Sequence, residues 1–425
     1  MSAWTENAVW WHVYPLGALG ADTTGTDRTA RRTLRDLEPW LDHLVRLGAN
    51  GLALGPVFAS QSHGYDTTDH LALDERLGDE ADLDHLLAAA RDRGVRVTLD
   101  GVFNHVGRGF DRFLTAERDP SSPEAAWFSR DADGRLQTFE GHDALVALDH
   151  TSPEVERYVV EVMSHWLDRG VDGWRLDAAY ATPASFWARV LPQVRVEHPG
   201  AFLFGEVLHG DYADFVRDST LDAVTQYELW KAVWSSLSDA NFFELDWTLQ
   251  RHGALLDTFV PVTFLGNHDV TRIASQIGEE RHHAHALVVL LTVAGSPAIY
   301  YGDDWGLRGV KEERVGGDDA VRPELPADPT NLEPGTESAR ALHQELVGLR
   351  RRHPWLHRAR TRSLLLTNTT YVYETAADGE RLVVALNLGE HPLVATTDAT
   401  DVRAGHADSS GDGWTVPPHG WVVLG

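Results

Sequence analysis

Three acidic residues stand out because each follows a short apolar run of the kind that forms a buried strand. They are Asp177, Glu206 and Asp269. Asp177 and Glu206 are 29 residues apart, about one strand–helix unit, and Glu206 and Asp269 are 63 residues apart, about two units. In a parallel barrel, reactive side chains sit at the carboxyl ends of the strands. The spacing therefore predicts that the three carboxylates converge over one mouth of such a barrel.

Arg175 stands two residues before Asp177 and is the expected partner of this acid. Side chains alternate along a strand, so Arg175 and Asp177 share a face. A nearby guanidinium keeps a carboxylate ionised, as a nucleophile requires. A second acid crowded against that anion, here Glu206, has its pKa raised and can hold a proton near neutrality. Two such carboxyls roughly 5–5.5 Å apart are the equipment of a retaining glycosidase.

Each acid taken alone has a simpler interpretation, as a helix cap or a solvated loop residue. For a single acid, that interpretation is the better one. Three acids at matching strand ends, one of them preceded by an arginine on the same face, favour a catalytic site instead.

The elements that must position these acids repeat one pattern over about the first 355 residues: a β-rich run, a polar loop and an amphipathic helix. The predicted strands cover residues 9–14, 51–57, 95–104, 172–177, 202–207, 223–229, 260–267 and 297–301. Eight strands that alternate with helices predict an α/β fold, a (β/α)8 TIM barrel. An open doubly wound sheet is the competitor, but no glycine-rich phosphate turn follows the first strand.

Two segments fall outside this repeat. Residues 105–150 form a short excursion after the third strand, with little apolar periodicity. Short runs near the C-terminus predict antiparallel strands with turns between them. They cover residues 363–366, 371–374, 382–388 and 421–424. We therefore predict a catalytic barrel at 1–357 and a small β-sandwich-like domain at 358–425.

Composition excludes several classes of function. The formal net charge of -27 repels phosphate backbones, so we expect no nucleic-acid partner, whereas a neutral sugar is compatible with it. The sequence has no cysteine, which rules out disulfides, thiolate metal sites and cysteine nucleophiles. No apolar run approaches the roughly 20 residues that cross a bilayer, so we expect no membrane partner. The N-terminus lacks a secretory pattern, and we expect a cytoplasmic protein.

Five motifs occur in order along the chain. They are Gly-Tyr-Asp-Thr-Thr-Asp at 64–69, Asp-Gly-Val-Phe-Asn-His at 100–105, Gly-Trp-Arg-Leu-Asp at 173–177, Gly-Glu-Val at 205–207 and Asn-His-Asp at 267–269. Each motif is moderately specific by itself. The five in this order resemble the α-amylase family of retaining glycoside hydrolases, and the resemblance covers nearly the whole chain.

The resemblance implies a role for each matching residue. It implies that Asp177 is the nucleophile, that Glu206 is the general acid and base, and that Asp269 grips sugar hydroxyls and tightens in the transition state. The residues implied to bind the sugar beside the scissile bond are Tyr65, His105, Arg175 and His268. Tyr65 would stack on this ring, because an aromatic face matches the apolar C–H face of a sugar.

A sixth segment extends the resemblance. The run Gly-Asp-Asp-Ala-Val-Arg at 317–322 is similar to the family's Asp-x-x-x-Arg pair. This similarity implies that Asp318 and Arg322 hold the next sugar outward from the scissile bond.

The chain also departs from the family pattern. Ala147 stands where many relatives carry an aspartate that ligates calcium, and losing a carboxylate weakens such a site. Although Asn104 remains, we expect no bound metal and no cofactor. The excursion is shorter than the extra domain of many relatives, which suggests a more open cleft. Many amylases carry a Lys-His pair after the nucleophile, whereas Ala178-Ala179-Tyr180 follows Asp177 here, so the preference for a leaving group is open.

Two other groups of residues invite a functional interpretation. His282, His283 and His285 lack the spacing of a zinc motif, and we interpret them as a solvated helix face. Tryptophans within helical patterns are interpreted as packing residues, as at Trp166 and Trp187. The tryptophans left open between packing and a sugar-binding groove are Trp11, Trp174 and Trp305.

Together these observations predict hydrolysis of α-glucosidic bonds in maltooligosaccharides or related α-glucans, with retention, by double displacement. The expected partner is the α-glucan or oligosaccharide substrate. One alternative is a transglycosylase or isomerase that acts on a small α-glucoside such as trehalose or sucrose. An alternative of another class is a catalytically silent glucan-binding protein on the same fold. The sequence leaves the oligomeric state open.

Overall fold

A computed structural model describes residues 3–314, 316–332, 335–411 and 413–425 of the chain. Within these residues, eight short parallel strands form the wall of a barrel. They are β1 (Trp10–Val13), β2 (Gly51–Leu54), β3 (Arg96–Gly101), β4 (Gly173–Leu176), β5 (Phe202–Gly205), β6 (Ala223–Val224), β7 (Val262–Phe264) and β8 (Ser296–Tyr300). The strand order is β6-β5-β4-β3-β2-β1-β8-β7. A parallel bridge between Thr225 and Val262 joins β6 to β7, so the predicted barrel is confirmed.

Helices surround the barrel and connect its strands. Their bounds are α1 (Pro15–Ala18), α2 (Glu38–Leu47), α3 (Glu80–Asp92), α4 (Asp111–Arg118), α5 (Pro153–Asp168), α6 (Ala184–Glu197), α7 (Tyr212–Ser219), α8 (Tyr227–Ser238), α9 (Phe243–Leu255), α10 (Ile273–Gln276), α11 (His283–Thr292) and α12 (Glu337–Arg352). In the described part of the chain, no helix is long and apolar enough to cross a bilayer.

Helix α3 shows how the local sequence sets these bounds. The Asp79 side chain accepts hydrogen bonds from the backbone N–H groups of Ala81 and Asp82, which begins the helix. Leu83, Leu86, Leu87 and Ala90 face the core. The helix is followed by Gly94 at φ 69°, a left-handed conformation that glycine adopts without steric cost.

The sixth and seventh strands are shorter than predicted. The sequence predicts strands at 223–229 and 260–267, but β6 ends at Val224 and β7 covers Val262–Phe264. Helix α8 begins at Tyr227 and buries Leu229, Ala232 and Val233 at helical spacing. The consequence is a helical hairpin, α8 and α9, directly after β6.

Two short antiparallel pairs stand beside the barrel mouth. Strand Phe58–Ser60 pairs with Thr67–Leu73 after β2. Strand His105–Gly107 pairs with Leu145–Ala147 and ties both ends of the excursion together. The excursion therefore starts and ends at the barrel mouth rather than extending away from it.

The C-terminal strands form two antiparallel sheets. Their bounds are β9 (Arg360–Leu366), β10 (Thr370–Ala377), β11 (Glu380–Asn387), β12 (Leu393–Thr396), β13 (Val402–Gly405), β14 (Asp408–Ser410), β15 (Gly413–Val416) and β16 (Trp421–Leu424). The sheet orders are β9-β10-β11-β16-β13 and β12-β15-β14. A small apolar core that includes Val383, Val416 and Val422 packs between them. The division into domains at 357/358 stays a prediction.

Buried polar contacts join the barrel to the C-terminal sheet. His285 Nε2 lies 3.2 Å from the carbonyl oxygen of Asn387 and 3.0 Å from that of Gly420. Tyr371 Oη donates to Asp246 Oδ1 at 3.0 Å. Because these groups are buried, the two regions pack tightly against each other.

The predicted solvated helix face at His282, His283 and His285 is wrong. His282 and His285 are buried at the junction with the C-terminal sheet, and His283 is partly buried. Among the described residues there is no group of three or more His, Cys, Asp or Glu side chains that could hold a metal ion. These histidines therefore serve the packing of the chain.

Tryptophans fill much of the core. Trp166 and Trp187 are buried as predicted. Trp11, Trp174 and Trp305, which the sequence left open, are also buried and pack against other rings. Of these tryptophans, none lies on an exposed sugar-binding surface.

Candidate active site

A cleft of about 1350 Å³ opens at the carboxyl ends of the barrel strands. All three predicted acids, Asp177, Glu206 and Asp269, line it. Other predicted site residues on its wall are Tyr65, His105, Asp318 and Arg322. Arg175 and His268 lie below and line a cavity of about 40 Å³ in the barrel. The structure thus brings all nine predicted residues to one place.

The pairing of β4 with β5 places Asp177 beside Glu206. Leu176 and Gly205 are partners in the strand register, so the next residue on each strand leaves the barrel at the same level. The Glu206 backbone N–H donates to the Leu176 carbonyl at 2.9 Å, which holds this alignment. Two carboxylates from neighbouring strands therefore face one cleft.

Ala178 ties the two strand ends together. Its backbone N–H donates to Glu206 Oε2 at 3.1 Å. Ala178 has a left-handed conformation, with φ 44° and ψ 39°, which costs an alanine roughly 1–2 kcal/mol. Backbone strain of this kind clusters at active sites. The turn directs an N–H donor at the Glu206 carboxylate immediately after Asp177.

Arg175 contacts three carboxylates rather than Asp177 alone. Its register partner across β3 and β4 is Asp100, whose Oδ1 and Oδ2 lie 2.6 and 2.5 Å from Nη1. Nη1 is also 3.3 Å from Asp177 Oδ1, and Nη2 is 2.9 Å from Glu206 Oε1. One guanidinium thus bridges the two acids of the candidate pair, and Asp100 holds it in place.

The pKa of Asp177 is shifted upward, whereas the sequence led us to expect that Arg175 would keep this acid ionised. Burial raises the pKa of Asp177 well above its ordinary value. The Arg175 charge opposes this effect, while the Glu206 and Asp100 carboxylates add to it. Because Arg175 lies closest to Asp100, its effect at Asp177 does not outweigh burial.

Asp269 shows the opposite shift. Burial favours its neutral form, but His268 and Arg322 outweigh this effect and hold the pKa of Asp269 well below its ordinary value. Arg322 Nη2 lies 2.8 Å from Oδ1, and His268 Nε2 lies 3.0 Å from Oδ2. Asp269 is therefore a carboxylate over a wide pH range and accepts hydrogen bonds only.

Tyr65 and His268 form a stacked pair at the base of the cleft. Their ring centroids are 5.3 Å apart with planes at 10°, and the Tyr65 hydroxyl contacts His268 Nε2. Tyr65 Oη also donates to Asp100 Oδ2 at 3.1 Å. Tyr14 stacks with His268 at 5.7 Å, which fixes the imidazole from a second direction. This packing leaves Tyr65 partly exposed on the cleft surface.

His105 forms another part of the wall. Its Nε2 lies 3.1 Å from the Tyr65 carbonyl oxygen, and its ring stacks on Phe139 at 4.8 Å. Burial lowers the pKa of His105 to about 4, so the imidazole is neutral near pH 7. Phe139 belongs to the excursion, as does Glu140, and both line the cleft.

Arg322 links Asp269 to Asp318 at one end of the cleft. Its Nη2 lies 2.8 Å from Asp269 Oδ1 and 3.0 Å from Asp318 Oδ2. Nε donates to the His268 carbonyl at 2.8 Å, and the guanidinium lies over the Tyr14 ring. Asp318 Oδ1 is 3.5 Å from Lys311 Nζ. This charged set continues outward from Asp269.

Sequence reasoning missed two side chains of the site, Asp100, which contacts Arg175, and Tyr227, which contacts Glu206. Asp100 lies in the quoted 100–105 motif, and its partnership with Arg175 follows from the β3–β4 register. Tyr227 was placed inside a predicted strand, whereas it begins α8. Its hydroxyl donates to Glu206 Oε1 at 2.8 Å and accepts from Asn267 Nδ2 at 2.8 Å. No sequence signal pointed to Tyr227.

Ala147, which stands where many relatives carry a calcium-binding aspartate, is part of a short antiparallel strand pair. Ala147 pairs with His105 between the two short strands of the excursion. Asn104 is buried, and its Nδ2 lies 3.1 Å from His105 Nδ1. The absence of a resident metal or cofactor stays a prediction.

Comparison with known proteins places the chain in a family. The family model described as alpha amylase, catalytic domain, matches residues 24–361. A cyclomaltodextrinase from a Bacillus species is 28% identical over 435 residues, which cover 95% of this chain and 74% of that protein. The maltogenic alpha-amylase of Bacillus acidopullulyticus is 30% identical, with 72% of this chain and 57% of that protein covered.

A solved structure shows the same architecture. The cyclic alpha-maltosyl-(1→6)-maltose hydrolase of Arthrobacter globiformis superposes with a TM-score of 0.83 at 25% identity, covering 100% of this chain and 99% of that one. The chain belongs to the α-amylase family. It is a glycoside hydrolase, and the prediction of retaining hydrolysis of α-glucosidic bonds is confirmed. The relatives do not favour the transglycosylase, isomerase or silent-protein alternatives.

Proposed function

We propose that this chain hydrolyses α-glucosidic bonds in maltooligosaccharides or related α-glucans, with Asp177 as nucleophile and Glu206 as general acid and base. One observation carries the assignment. The β4–β5 register places the two carboxyls side by side on one cleft, and the Arg175 guanidinium contacts both. Two carboxyls that flank one anomeric carbon are what double displacement requires.

The reaction proceeds in two balanced steps. Glu206 gives its proton to the glycosidic oxygen while an Asp177 oxygen forms a bond to the anomeric carbon. The bond from that carbon to the glycosidic oxygen breaks, and its electron pair leaves with the departing sugar. Water then gives a proton to the Glu206 carboxylate and attacks the same carbon, which releases Asp177 as a carboxylate.

The surroundings of Glu206 suit this cycle. Tyr227 Oη donates to one Glu206 oxygen and the Ala178 N–H donates to the other. Arg175 adds a positive charge at 2.9 Å. These three donors stabilise the carboxylate that remains after proton transfer. The Glu206 charge adds to the effect of burial in raising the pKa of Asp177, so the two carboxyls interact electrostatically.

The remaining residues suit the binding of the sugar beside the scissile bond. Asp269 is ionised and partly exposed at the cleft, so it can accept hydrogen bonds from sugar hydroxyls. Tyr65 presents part of its ring to the same space, with His105 and His268 packed around it. Asp318 and Arg322 line the cleft beyond Asp269, where they would bind the next sugar outward.

The names of related proteins support an α-glucan substrate. They include cyclomaltodextrinase, neopullulanase and a hydrolase solved in complex with maltose. An uncharged glucan also suits a chain of net charge -27. The cytoplasmic location stays a prediction; a Bacillus subtilis relative at 26% identity is named intracellular maltogenic amylase.

The test is a substrate panel with identification of products and of the first anomer released. We expect hydrolysis of maltoheptaose or cyclomaltoheptaose with initial release of the α-anomer by NMR. Asp177→Asn should lower kcat by about 10⁴-fold or more. The exposed Asp218→Asn is the matched control and should retain wild-type activity. A 5-fluoro-α-glucosyl fluoride should label Asp177, as located by peptide mass spectrometry.

Three results would contradict the proposal. Initial release of the β-anomer excludes a retaining mechanism on an α-linked substrate. Equal turnover by wild type and Asp177→Asn excludes the nucleophile. Conversion of trehalose or sucrose to an isomer, without hydrolysis of maltooligosaccharides, would instead identify the isomerase alternative.

A further inference from the structure

The hairpin of α8 and α9 places aromatic side chains on the cleft wall. Trp230 of α8 and Trp247 of α9 both line the cleft, together with Lys231, Glu244 and Thr248. Trp247 is 59% exposed to solvent. A tryptophan left this open presents a large apolar face to water, and such faces mark binding surfaces when they adjoin a site.

The cleft face of this hairpin is held in place by its own contacts. The Trp230 ring stacks on Phe264 with centroids 6.3 Å apart and planes at 19°. Lys231 Nζ lies 2.5 Å from Glu244 Oε1 and joins the two helices. The Arg251 guanidinium lies 4.8 Å from the Trp247 ring centroid. The rings therefore form a positioned surface whose ordering on ligand binding costs little.

The hairpin adjoins Glu206 rather than the charged set around Arg322. Tyr227, the first residue of α8, donates to Glu206, and Trp230 follows one helical turn later. Asp269, Arg322 and Asp318 are linked to one another by ion pairs after β7 and β8. In double displacement, the general acid faces the leaving oxygen. The hairpin thus lies on the side to which the leaving sugar departs.

The residues directly after Asp177 are Ala178, Ala179 and Tyr180. Tyr180 lines the cleft, and its hydroxyl donates to Glu140 Oε1 at 2.8 Å. The two alanines offer no polar side chain to a leaving sugar, whereas the hairpin supplies an apolar surface with an adjacent ion pair.

We propose that Trp230 and Trp247 form the binding surface for the leaving glucosyl units of an α-glucan, and that Lys231 and Glu244 hydrogen-bond their hydroxyls. This inference rests on the proposed function. The C–H faces of glucosyl rings match the flat indole rings, whereas the ion pair offers a donor and an acceptor. An incoming sugar bound on the same surface would take the place of water as acceptor.

The experiment compares two substrates with different leaving groups. The leaving group of maltoheptaose consists of glucosyl units that would lie on the hairpin. The leaving group of α-maltosyl fluoride is a fluoride ion, which does not reach the hairpin. Trp247→Ala should lower kcat/KM for maltoheptaose roughly tenfold, which corresponds to about 1.4 kcal/mol. For α-maltosyl fluoride, kcat/KM should stay within about twofold of wild type, since about 0.4 kcal/mol or less is then lost.

Phe243→Ala is the matched control. Phe243 lies one turn before Trp247 on α9 and is 50% exposed, but it does not line the cleft. This variant should behave as wild type on both substrates. Trp230→Phe keeps an aromatic core contact with Phe264 and should fall between wild type and Trp247→Ala on maltoheptaose. With maltose added as acceptor, Trp247→Ala should also form less transfer product from α-maltosyl fluoride.

Specific outcomes overturn the inference. If Trp247→Ala lowers kcat/KM equally for both substrates, the residue does not act through the leaving group. If Phe243→Ala lowers kcat/KM for maltoheptaose as much as Trp247→Ala does, the loss results from a change in α9 and not from a lost contact in the cleft. If the wild type cleaves both substrates and Trp247→Ala does not change kcat/KM for maltoheptaose, this inference is wrong while the proposed function stands. Wild-type protein inactive on both substrates overturns the proposed function as well.

Discussion

The two ends of the cleft are built from different chemistry. At the charged end, the Asp269, Lys311, Asp318 and Arg322 side chains are linked by ion pairs. At the aromatic end, Trp230 and Trp247 stand on a helical hairpin, with Lys231 paired to Glu244. The two lysines of the sequence are thus divided, one to each end.

This difference indicates how each end selects a sugar. Ion-paired carboxylates and guanidinium groups form directed hydrogen bonds, so we expect the charged end to distinguish the positions of individual hydroxyls. Stacking on an indole ring requires only a flat C–H face, so we expect the aromatic end to tolerate changes in linkage and chain length. We therefore expect strict recognition on the side that forms the covalent intermediate and permissive recognition on the leaving side.

Among changes at the two ends of the cleft, the largest effect should come from a substitution at the charged end. Arg322→Ala removes the guanidinium that pairs with both Asp269 and Asp318, and it leaves Asp269 with His268 and Asp318 with the more distant Lys311. We expect kcat/KM to fall roughly 100-fold, and by the same factor for maltoheptaose and α-maltosyl fluoride. This pattern contrasts with Trp247→Ala, which should affect only the oligosaccharide. Initial rates on both substrates give the comparison.

Two further variants show whether the loss in Arg322→Ala comes from its contacts at the charged end. Arg281→Ala removes an exposed arginine that pairs with Glu279 away from the cleft, and it should leave both rates unchanged. Asp318→Asn keeps Asp269 paired and should lower both rates by less than Arg322→Ala does. A fall confined to maltoheptaose in either charged-end variant would contradict the division between the two ends.

A pH profile should separate the centre of the cleft from its charged end. Burial raises the pKa of Asp177, whereas His268 and Arg322 hold the pKa of Asp269 well below its ordinary value. Attack requires the Asp177 carboxylate, so kcat/KM should fall about tenfold per unit as pH drops through the raised pKa of Asp177. The acid limb should therefore lie above pH 3.8, the ordinary aspartate value.

Glu206→Gln sharpens this profile. It removes a carboxylate whose charge raises the pKa of Asp177, so the acid limb should move to lower pH. α-Maltosyl fluoride is the substrate for this measurement because fluoride leaves with little help from a general acid. An acid limb at or below pH 3.8 in the wild type, or one that Glu206→Gln moves upward, would refute the assignment.

The smallest effect should come from Tyr180→Phe at the leaving side. This change removes only the hydrogen bond from the Tyr180 hydroxyl to Glu140 and keeps the ring. We expect KM for maltoheptaose to rise about two- to threefold, since one neutral-to-charged surface contact contributes little. The rate on α-maltosyl fluoride should not change. A loss as large as that of Trp247→Ala would place the main leaving-group contact at Tyr180 instead.

The strand ends were predictable because parallel neighbours place successive residues at one level. Apolar runs located β4 and β5, and the register then brought Asp177 to Glu206. The roles of these acids came from the family resemblance and stay proposals. Spacing alone gave the arginine beside Asp177, but it did not show that Asp100 is the closer partner.

The aromatic end was not predictable in the same way. The run at 223–229 fits a strand as well as the start of a helix, because short apolar runs carry both periodicities. Val224 ends the strand, and Tyr227 begins the helix whose buried face includes Leu229 and Val233. The strand interpretation concealed the α8–α9 hairpin and, with it, the contact of Tyr227 with Glu206.

The prediction that His282, His283 and His285 form a solvated helix face was wrong for a different reason. Polar residues at the start of a helix usually face water, so His282 and His285 were interpreted as solvated. The surface that buries His285 comes from Asn387 and Gly420, more than 100 residues later. A pattern local to α11 contains no information about that distant contact.

The position of His285 has a consequence for recombination between relatives. Its Nε2 is buried against the carbonyl oxygens of Asn387, the last residue of β11, and Gly420, which directly precedes β16. A foreign terminal module grafted onto this barrel would have to present carbonyls at the same two points, or an imidazole N–H would be left without an acceptor in a dry interface. A chimaera should therefore keep α11 and the C-terminal segments that cover it from the same parent, and a crossover should not fall between them in the sequence.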